Sequence, residues 1–294
     1  MKTKGIALSG GGIKSYAQLP ILKAFQEEGI VFDVVSGTSM GSAIAAIYAL
    51  GMDVNKMIEL ALEIEARLVK TRLFIKPSPK ILPFSKEKIH GGYVDGFVIE
   101  DIFKEVLGDI HLRDVKIPLA IPSVDLITGK IIVFVSHPEQ FTSNPEWVVI
   151  SDISLAKAVR ASCSFPLVIA GCELDDYLLA DGGIKMNLPS LLLKAYNVDH
   201  ISAVTMTSAA NFEAIDSLSA ISNRIYDLTV DSYNQLMLDH IDLMLNVPLG
   251  DLWVFEFGKG SEIIDKGVSI AEANREEIRS LREKKRRVFN FFRK

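Results

Sequence analysis

Three short segments carry residue types that can do chemistry. The first is Gly37-Thr38-Ser39-Met40-Gly41. An apolar run over residues 31–35 precedes it and a helix-forming run over residues 43–50 follows. Strand, G-x-S-x-G, helix is the order of a nucleophile elbow, a strained turn that lifts a serine hydroxyl above a sheet. The flanking Gly37 and Gly41 let strand and helix pass closely, and the helix start adds amides and a positive dipole end beside the oxygen. The second segment is Asp181-Gly182-Gly183, directly after the apolar run Leu178-Leu179-Ala180. A carboxylate at the end of a strand in an open α/β sheet is suited to take a proton from a serine. Taken alone, Asp-Gly is also an ordinary turn. The third is Gly10-Gly11-Gly12-Ile13-Lys14-Ser15, whose successive amides suit an anion. Ile13 breaks the Gly-Lys-Ser ending of a P-loop, and Ser15 stands where a dinucleotide fingerprint needs its last glycine. An oxyanion loop fits better. A histidine is the usual base for serine, but His90, His111, His137, His200 and His240 sit in no motif; the order Ser-Asp-His through His200 or His240 stays open.

These groups need a sheet to hold them. Residues 5–8 read as a buried strand leading into the glycine loop. Helical spacing follows through Tyr16, Leu19, Leu22 and Phe25 to Gly29, with Pro20 as a candidate kink. A strand over 31–35, the elbow helix and a helix capped by Asp53 come next. Strand-helix-strand-helix order implies parallel pairing with right-handed crossovers. Residues 71–96 hold three prolines and three glycines; such a stretch is either a solvated connection or a flap over the site. Further expectations are a helix over 98–107, hairpins around Asp125 to Gly129 and around Asp175-Asp176, and a helix over 154–162. A strand over 200–205, a long helix over about 211–245 and a strand over 252–257 complete the body. No repeat or linker divides the 294 residues, so one domain is expected.

Composition excludes several classes. The chain is 49% hydrophobic with a net charge of −5, which gives no reason to expect nucleic acid. Cys163 and Cys172 form no disulfide framework and fit no zinc spacing. With no cleavable leader and no apolar run near the roughly 18 residues of a membrane span, a soluble, cytoplasmic protein with reduced thiols is expected. No cofactor or metal is implied.

Together the motifs resemble the bacterial patatin-like phospholipases. The resemblance rests on Gly10-Gly11-Gly12-Ile13-Lys14, Gly37-Thr38-Ser39-Met40-Gly41, the helix-to-proline segment from Ala158 through Arg160 to Pro166, and Asp181-Gly182-Gly183 with Asn187 and Pro189. These stand in family order within about residues 4–205. The resemblance implies a three-layer α/β sandwich around a mostly parallel sheet. It also implies a Ser-Asp dyad in which Ser39 attacks an ester carbonyl and Asp181 carries the proton. Amides of Gly10, Gly11, Gly12 and Ile13 would hold the oxyanion, and a lipid or related acyl ester would be the substrate. Gly37, Met40, Gly41, Gly182 and Gly183 support the geometry. Lys14 either draws a phosphate head group or is a solvated first-turn charge, and Arg160 either braces the site or makes a structural salt bridge. Other readings are a short-chain carboxylesterase or thioesterase, a phosphate- or nucleotide-binding module built on Gly10 to Ser15, and a silent lipid-binding protein. Residues 279–294 hold eight Lys/Arg against one Glu, interleaved with Phe289, Phe291 and Phe292. This tail suits either peripheral contact with an anionic inner membrane surface or the cationic end of a helix.

Overall fold

A computed structural model describes residues 2–76, 78, 80, 91–208, 221, 224, 228, 230, 240–250 and 252–282. Most of the expected flap, His90, most of the expected long helix and the tail beyond Arg282 lie outside the described residues. Among those described, nine strands form one mixed, mostly parallel sheet flanked by helices, an α/β fold. The strands, in chain order, are β1 (Lys4–Leu8), β2 (Val34–Gly37), β3 (Gly92–Val94), β4 (Leu119–Asp125), β5 (Ile131–Val135), β6 (Trp147–Ile150), β7 (Leu167–Ile169), β8 (Cys172–Leu174), β9 (Tyr177–Asp181), β10 (His200–Ser208) and β11 (Leu243–Gly250). The helices are α1 (Gln18–Glu27), α2 (Met40–Ala49), α3 (Val54–Thr71), α4 (Gly96–Leu107), α5 (Leu155–Ser162), α6 (Gly183–Met186), α7 (Ser190–Ala195), α8 (Gly260–Ala273) and α9 (Arg275–Ser280). The main sheet runs β11-β10-β1-β2-β4-β5-β6, and β3 pairs separately with β7.

Strand periodicity divides the core in two. Ile6, Val35, Ile121, Phe134 and Val204 face the cluster built with α1 to α5 and α8. Their neighbours Ala7, Val34, Ala120, Val133 and Ala203 face the one built with α6 and α7. Side chains that alternate across the pleat can fill both faces only if both are covered, hence the near-continuous apolar runs.

One strand decides where the site lies. β4 pairs with β5 over Ala120 to Val124 on one edge. The other edge is shared, with β2 parallel beside Leu119 and Ala120 and β9 antiparallel beside Ser123 to Asp125. β2 therefore ends where β9 ends, and the residues leaving these two strands, Ser39 and Asp181, are directed to the same point. The glycine loop leaves the carboxyl end of β1, next to β2. The sheet thus gathers three segments far apart in sequence.

The structure corrects several expectations. The strand over 31–35 begins only at Val34, with Val31 exposed. Helix α1 is preceded by a 3-10 turn over Gly12–Ala17, so Pro20 falls in the first turn of α1. There its missing N–H has no intrahelical acceptor to lose, and no kink is needed. The helix expected to reach residue 245 gives way to β11, whose residues alternate between buried and exposed. Pro248 is tolerated because β11 is the edge strand beyond β10. Residues 252–257 form turns, not a strand. Both hairpins, the helix capped by Ser154 and the helix capped by Asp53 form as the sequence suggests. Among the described residues no helix is long and apolar enough to cross a membrane.

The junction at Gly41 is closed by backbone on two sides. A Cβ there would stand 2.4 Å from the Ser9 carbonyl oxygen and 2.5 Å from that of Leu8. Gly41→Ala must push α2 away from β1, which is expected to cost about 1–3 kcal/mol. Denaturant unfolding checks this, and an unchanged midpoint would contradict the packing described.

Candidate active site

Ser39 connects β2 to α2 at φ 51°, ψ −131°, a backbone conformation that non-glycine residues rarely hold. Three bonds fix it there. Its N–H donates to Ser162 Oγ at 2.9 Å, Ser162 Oγ donates to the Pro122 carbonyl at 2.7 Å, and Ser42 Oγ donates to the Ser39 carbonyl at 2.6 Å. A Cβ on Gly37 would sit 2.3 Å from the Gly41 carbonyl oxygen, so the turn closes only with glycine at both ends. The Ser39 hydroxyl donates to Asp181 Oδ2 at 2.6 Å.

Asp181 is fully buried at the end of β9. Its other oxygen, Oδ1, accepts from the Gly183 N–H at 2.8 Å, and its own N–H donates to the Ser164 carbonyl at 2.9 Å. Burial pushes its pKa from the ordinary 3.8 up to about 7, against the opposing hydrogen bonds from Ser39 and Gly183. A carboxylate so placed is basic near neutrality. Among the described residues no histidine bonds Ser39 or lines the cavity beside it. His111 faces Asp152, His137 faces Ser136, His200 faces Asp242 and His240 faces Lys194.

The glycine loop lies against Ser39, with the Cβ direction of Gly10 pointing 3.1 Å from Ser39 Cβ. Two of its four expected amide donors are already engaged. The Gly10 N–H donates to the Asn187 carbonyl at 3.1 Å and the Ile13 N–H to the Val254 carbonyl at 2.9 Å. Among the described residues the amides of Gly11 and Gly12 have no protein acceptor. Gly12 has φ 55°, and a Cβ on it would stand 2.1 Å from the Val254 oxygen, so no other residue fits. Lys14 is buried and does not line the cavity, which removes the reading of a solvated charge. Gly182 packs against the Pro122 carbonyl. Arg160 is buried too and makes no structural salt bridge among the described residues. It donates through Nε to the Gly96 carbonyl at 2.7 Å, and also to the Ala170 carbonyl and Ser164 Oγ. Because Ser164 carries the Asp181 amide, Arg160 holds α4 and β7 to the turn beneath that carboxylate.

Ser39 opens onto a long apolar cavity. Its walls are Met40, Ala43, Ile44 and Ile47 from α2; Met57, Leu60, Ala61, Ile64 and Leu68 from α3; and Ile99, Ile102, Phe103, Val106 and Leu107 from α4. Phe74, Phe165, Val254, Phe255 and Phe257 close it. Met57 to Leu68 spans about 16 Å of helix, and among the described residues no charged side chain lines it. Sequence reasoning missed the 254–257 turn, whose Phe255 and Phe257 pack on Phe74 at 5.1 and 4.9 Å. It also missed Glu65 of α3, whose buried Oε1 accepts from the Gly258 N–H at 2.6 Å and the Gly260 N–H at 3.0 Å and so holds that turn. The crowded aromatic pattern Trp253-Val254-Phe255-Glu256-Phe257 was the available signal. Cys163 lines the cavity as well, and burial pushes its thiol pKa up, leaving it protonated and a poor rival to Ser39.

The profile of the patatin-like phospholipase family matches residues 6–194, and the chain belongs to that family. An NTE family protein of Mycobacterium tuberculosis is 27% identical over 212 residues, covering 72% of this chain and 51% of its own length. The lysophospholipase nte1 of Aspergillus oryzae is 26% identical across 95% of this chain and 18% of its own length. The chain thus spans about half the length of the mycobacterial relative or less of the fungal one. Among solved structures, VipD of Legionella pneumophila shares the fold, with a TM-score of 0.54 at 14% identity over 95% of this chain and 67% of VipD.

The elevated pKa of Asp181 has a consequence for stability. In the unfolded chain the carboxyl ionises near 3.8, whereas in the fold it holds its proton up to about 7. Stability from this group is present at low pH and lost as pH rises between those values. Asp181→Asn keeps the shape and removes the buried charge. Its unfolding free energy is expected to exceed that of the native protein at pH 8 by on the order of a few kcal/mol, seen as a higher melting temperature, with the gap narrowing as pH falls below 7. Equal melting curves at every pH would contradict the burial.

Proposed function

We propose that this protein is a serine-dependent lipid acyl hydrolase that cleaves carboxylic esters of phospholipids or lysophospholipids, and that residues 1–294 act as one catalytic unit. The observation that carries the reading is the 2.6 Å bond from Ser39 Oγ to Asp181 Oδ2 at one end of an apolar cavity. A hydroxyl needs a base before it can attack a carbonyl, and Asp181 is the group in reach.

In this reading Ser39 Oγ adds to the ester carbonyl carbon while Asp181 Oδ2 takes the hydroxyl proton. The carbonyl π pair moves to oxygen, where the amides of Gly11 and Gly12, with that of Met40 at the start of α2, receive the charge. Each such donor is typically worth about 10² to 10³ in rate. The bond to the alcohol oxygen then breaks, and Asp181 returns the proton to the leaving alcohol. Water then adds to the acyl-serine carbonyl while Asp181 takes its proton; the bond to Ser39 Oγ breaks, Asp181 returns the proton to that oxygen, and the fatty acid leaves. Asp181 has no histidine between it and Ser39, so its own basicity must suffice, and its burial supplies that. The fatty acyl chain lies along α2, α3 and α4, where apolar walls gain about 0.8 kcal/mol per buried methylene. That term favours medium and long chains over short ones and leaves little for a nucleotide to bind. Membership of the patatin-like phospholipase family and likeness to a protein named lysophospholipase support the substrate class.

A lipid panel tests the assignment. The native protein is expected to release fatty acid from phospholipid or lysophospholipid, with kcat/KM rising with acyl length and falling as pH drops below about 7. Ser39→Ala and Asp181→Asn are each expected to reduce turnover by at least about 10³-fold while remaining folded. Normal hydrolysis by either variant would remove the dyad, and calorimetric binding of lipid without any turnover would favour a silent carrier.

A further inference from the structure

Leu167 occupies a position where its residue type is locally unfavourable. The Phe165 carbonyl accepts from the Val168 N–H at 3.2 Å, closing a tight turn over Pro166-Leu167. Leu167 sits at φ 68°. A turn with proline second and positive φ third is of type II, whose third position suits glycine or asparagine. Leucine is strained there, and its side chain is 66% exposed, so the body of the protein offers little packing in return. A local rule broken without an internal gain points to a use outside the fold.

Leu167 has exposed apolar company. Ile75 is 72% exposed on the turn after α3, Phe97 is 66% exposed at the start of α4, and Tyr93 stands out from β3. The backbone brings them together. Gly92 of β3 pairs with Leu167, and the Ser78 N–H donates to the Tyr93 carbonyl at 2.7 Å. Lys80 Nζ lies 5.6 Å from the centre of the Phe97 ring. This patch adjoins the cavity: Ile75 follows Phe74, and Leu167 is two residues beyond Phe165. Those two phenylalanines meet on Phe255, with ring centres at 5.1 and 5.3 Å, and all three line the cavity.

The charge around the patch is opposite to that of the chain. Arg72 and Lys76 are exposed on the turn that carries Ile75. Residues 70–80 hold four Lys/Arg, Lys80 among them paired with Asp95 at 2.8 Å, and no Asp or Glu, in a chain of net charge −5. An anionic surface would attract this side and repel the remainder.

We propose that Ile75, Tyr93, Phe97 and Leu167, flanked by Arg72 and Lys76, form the surface by which the protein sits on an anionic lipid bilayer. This inference rests on the acyl hydrolase reading for its purpose, since an acyl chain passing over this rim reaches the cavity without crossing water. Apolar side chains enter the interface while neighbouring cations meet the head groups. A soluble acidic peptide has no such need for a continuous apolar path to Ser39.

Sedimentation with vesicles tests the surface independently of turnover. In the Ser39→Ala background, the full chain is expected to bind vesicles of phosphatidylcholine with phosphatidylglycerol and to bind phosphatidylcholine alone weakly. Adding Ile75→Asn and Leu167→Asn should weaken binding by about tenfold or more. Asparagine suits positive φ, so an unchanged melting temperature serves as the folding check. In the Ser39 background the same pair should slow hydrolysis of vesicle lipid but leave turnover of soluble p-nitrophenyl butyrate unchanged. Undiminished vesicle binding by the folded pair overturns the proposal. So does loss of binding on Lys284→Gln, Lys285→Gln, Arg286→Gln and Arg287→Gln together, if the rim pair still binds. Rim-dependent binding by a protein that hydrolyses nothing would uphold this surface while removing the hydrolase reading.

Discussion

The hydrogen bond between Ser39 Oγ and Asp181 Oδ2 organises the molecule. It requires a carboxylate to be buried with no cation beside it among the described residues, a costly arrangement unless its oxygens are otherwise satisfied. The fold satisfies one oxygen with a hydroxyl and the other with the Gly183 amide, and leaves the group with a pKa near 7. Further features serve the same point. β4 gives one edge to both β2 and β9 so that their ends meet. Ser162 holds the Ser39 amide, and Arg160 holds Ser164 beneath Asp181. In the proposed hydrolase, the weak base strength ordinary for aspartate is offset by desolvation rather than by a histidine relay.

That same desolvation links the polar site to the apolar cavity. Walls from α2, α3 and α4 exclude water from one side of Ser39 and offer a surface that matches hydrocarbon. The turn over residues 254–257 joins the two functions. Val254 takes up the Ile13 amide, fixing which glycine amides stay free, while Phe255 and Phe257 close the cavity with Phe74. Glu65 anchors this turn from within α3. Under the proposed reading, a change in the turn would therefore alter oxyanion geometry and acyl fit together.

Much of this was legible in the residues, for a local reason. Ser39 between Gly37 and Gly41, and three glycines after an apolar strand, are signatures of backbone geometry confined to a few residues, and geometry of that kind leaves a mark in sequence. Asp181 alone was ambiguous, because Asp-Gly also makes ordinary turns; only the joint order of the motifs raised it. What stayed hidden was non-local. That the Ile13 amide is taken depends on Val254, far along the chain. The strand β11 reads as alternating residues at the sheet edge, yet its pairing with β10 decides its state over the helical alternative. Lys14 was open between a head-group contact and a solvated charge, and Arg160 between a brace and a salt bridge; the fold buries both, which only tertiary packing decides.

The most direct measurement is peptide-resolved labelling of the native protein by a fluorophosphonate on either side of pH 7. The account predicts a single adduct on Ser39 whose rate of formation rises with the ionisation of a group titrating near 7, and which Asp181→Asn makes slow and independent of pH. An adduct on another residue, or Ser39 labelling in Asp181→Asn that keeps the native rate and pH profile, would contradict it.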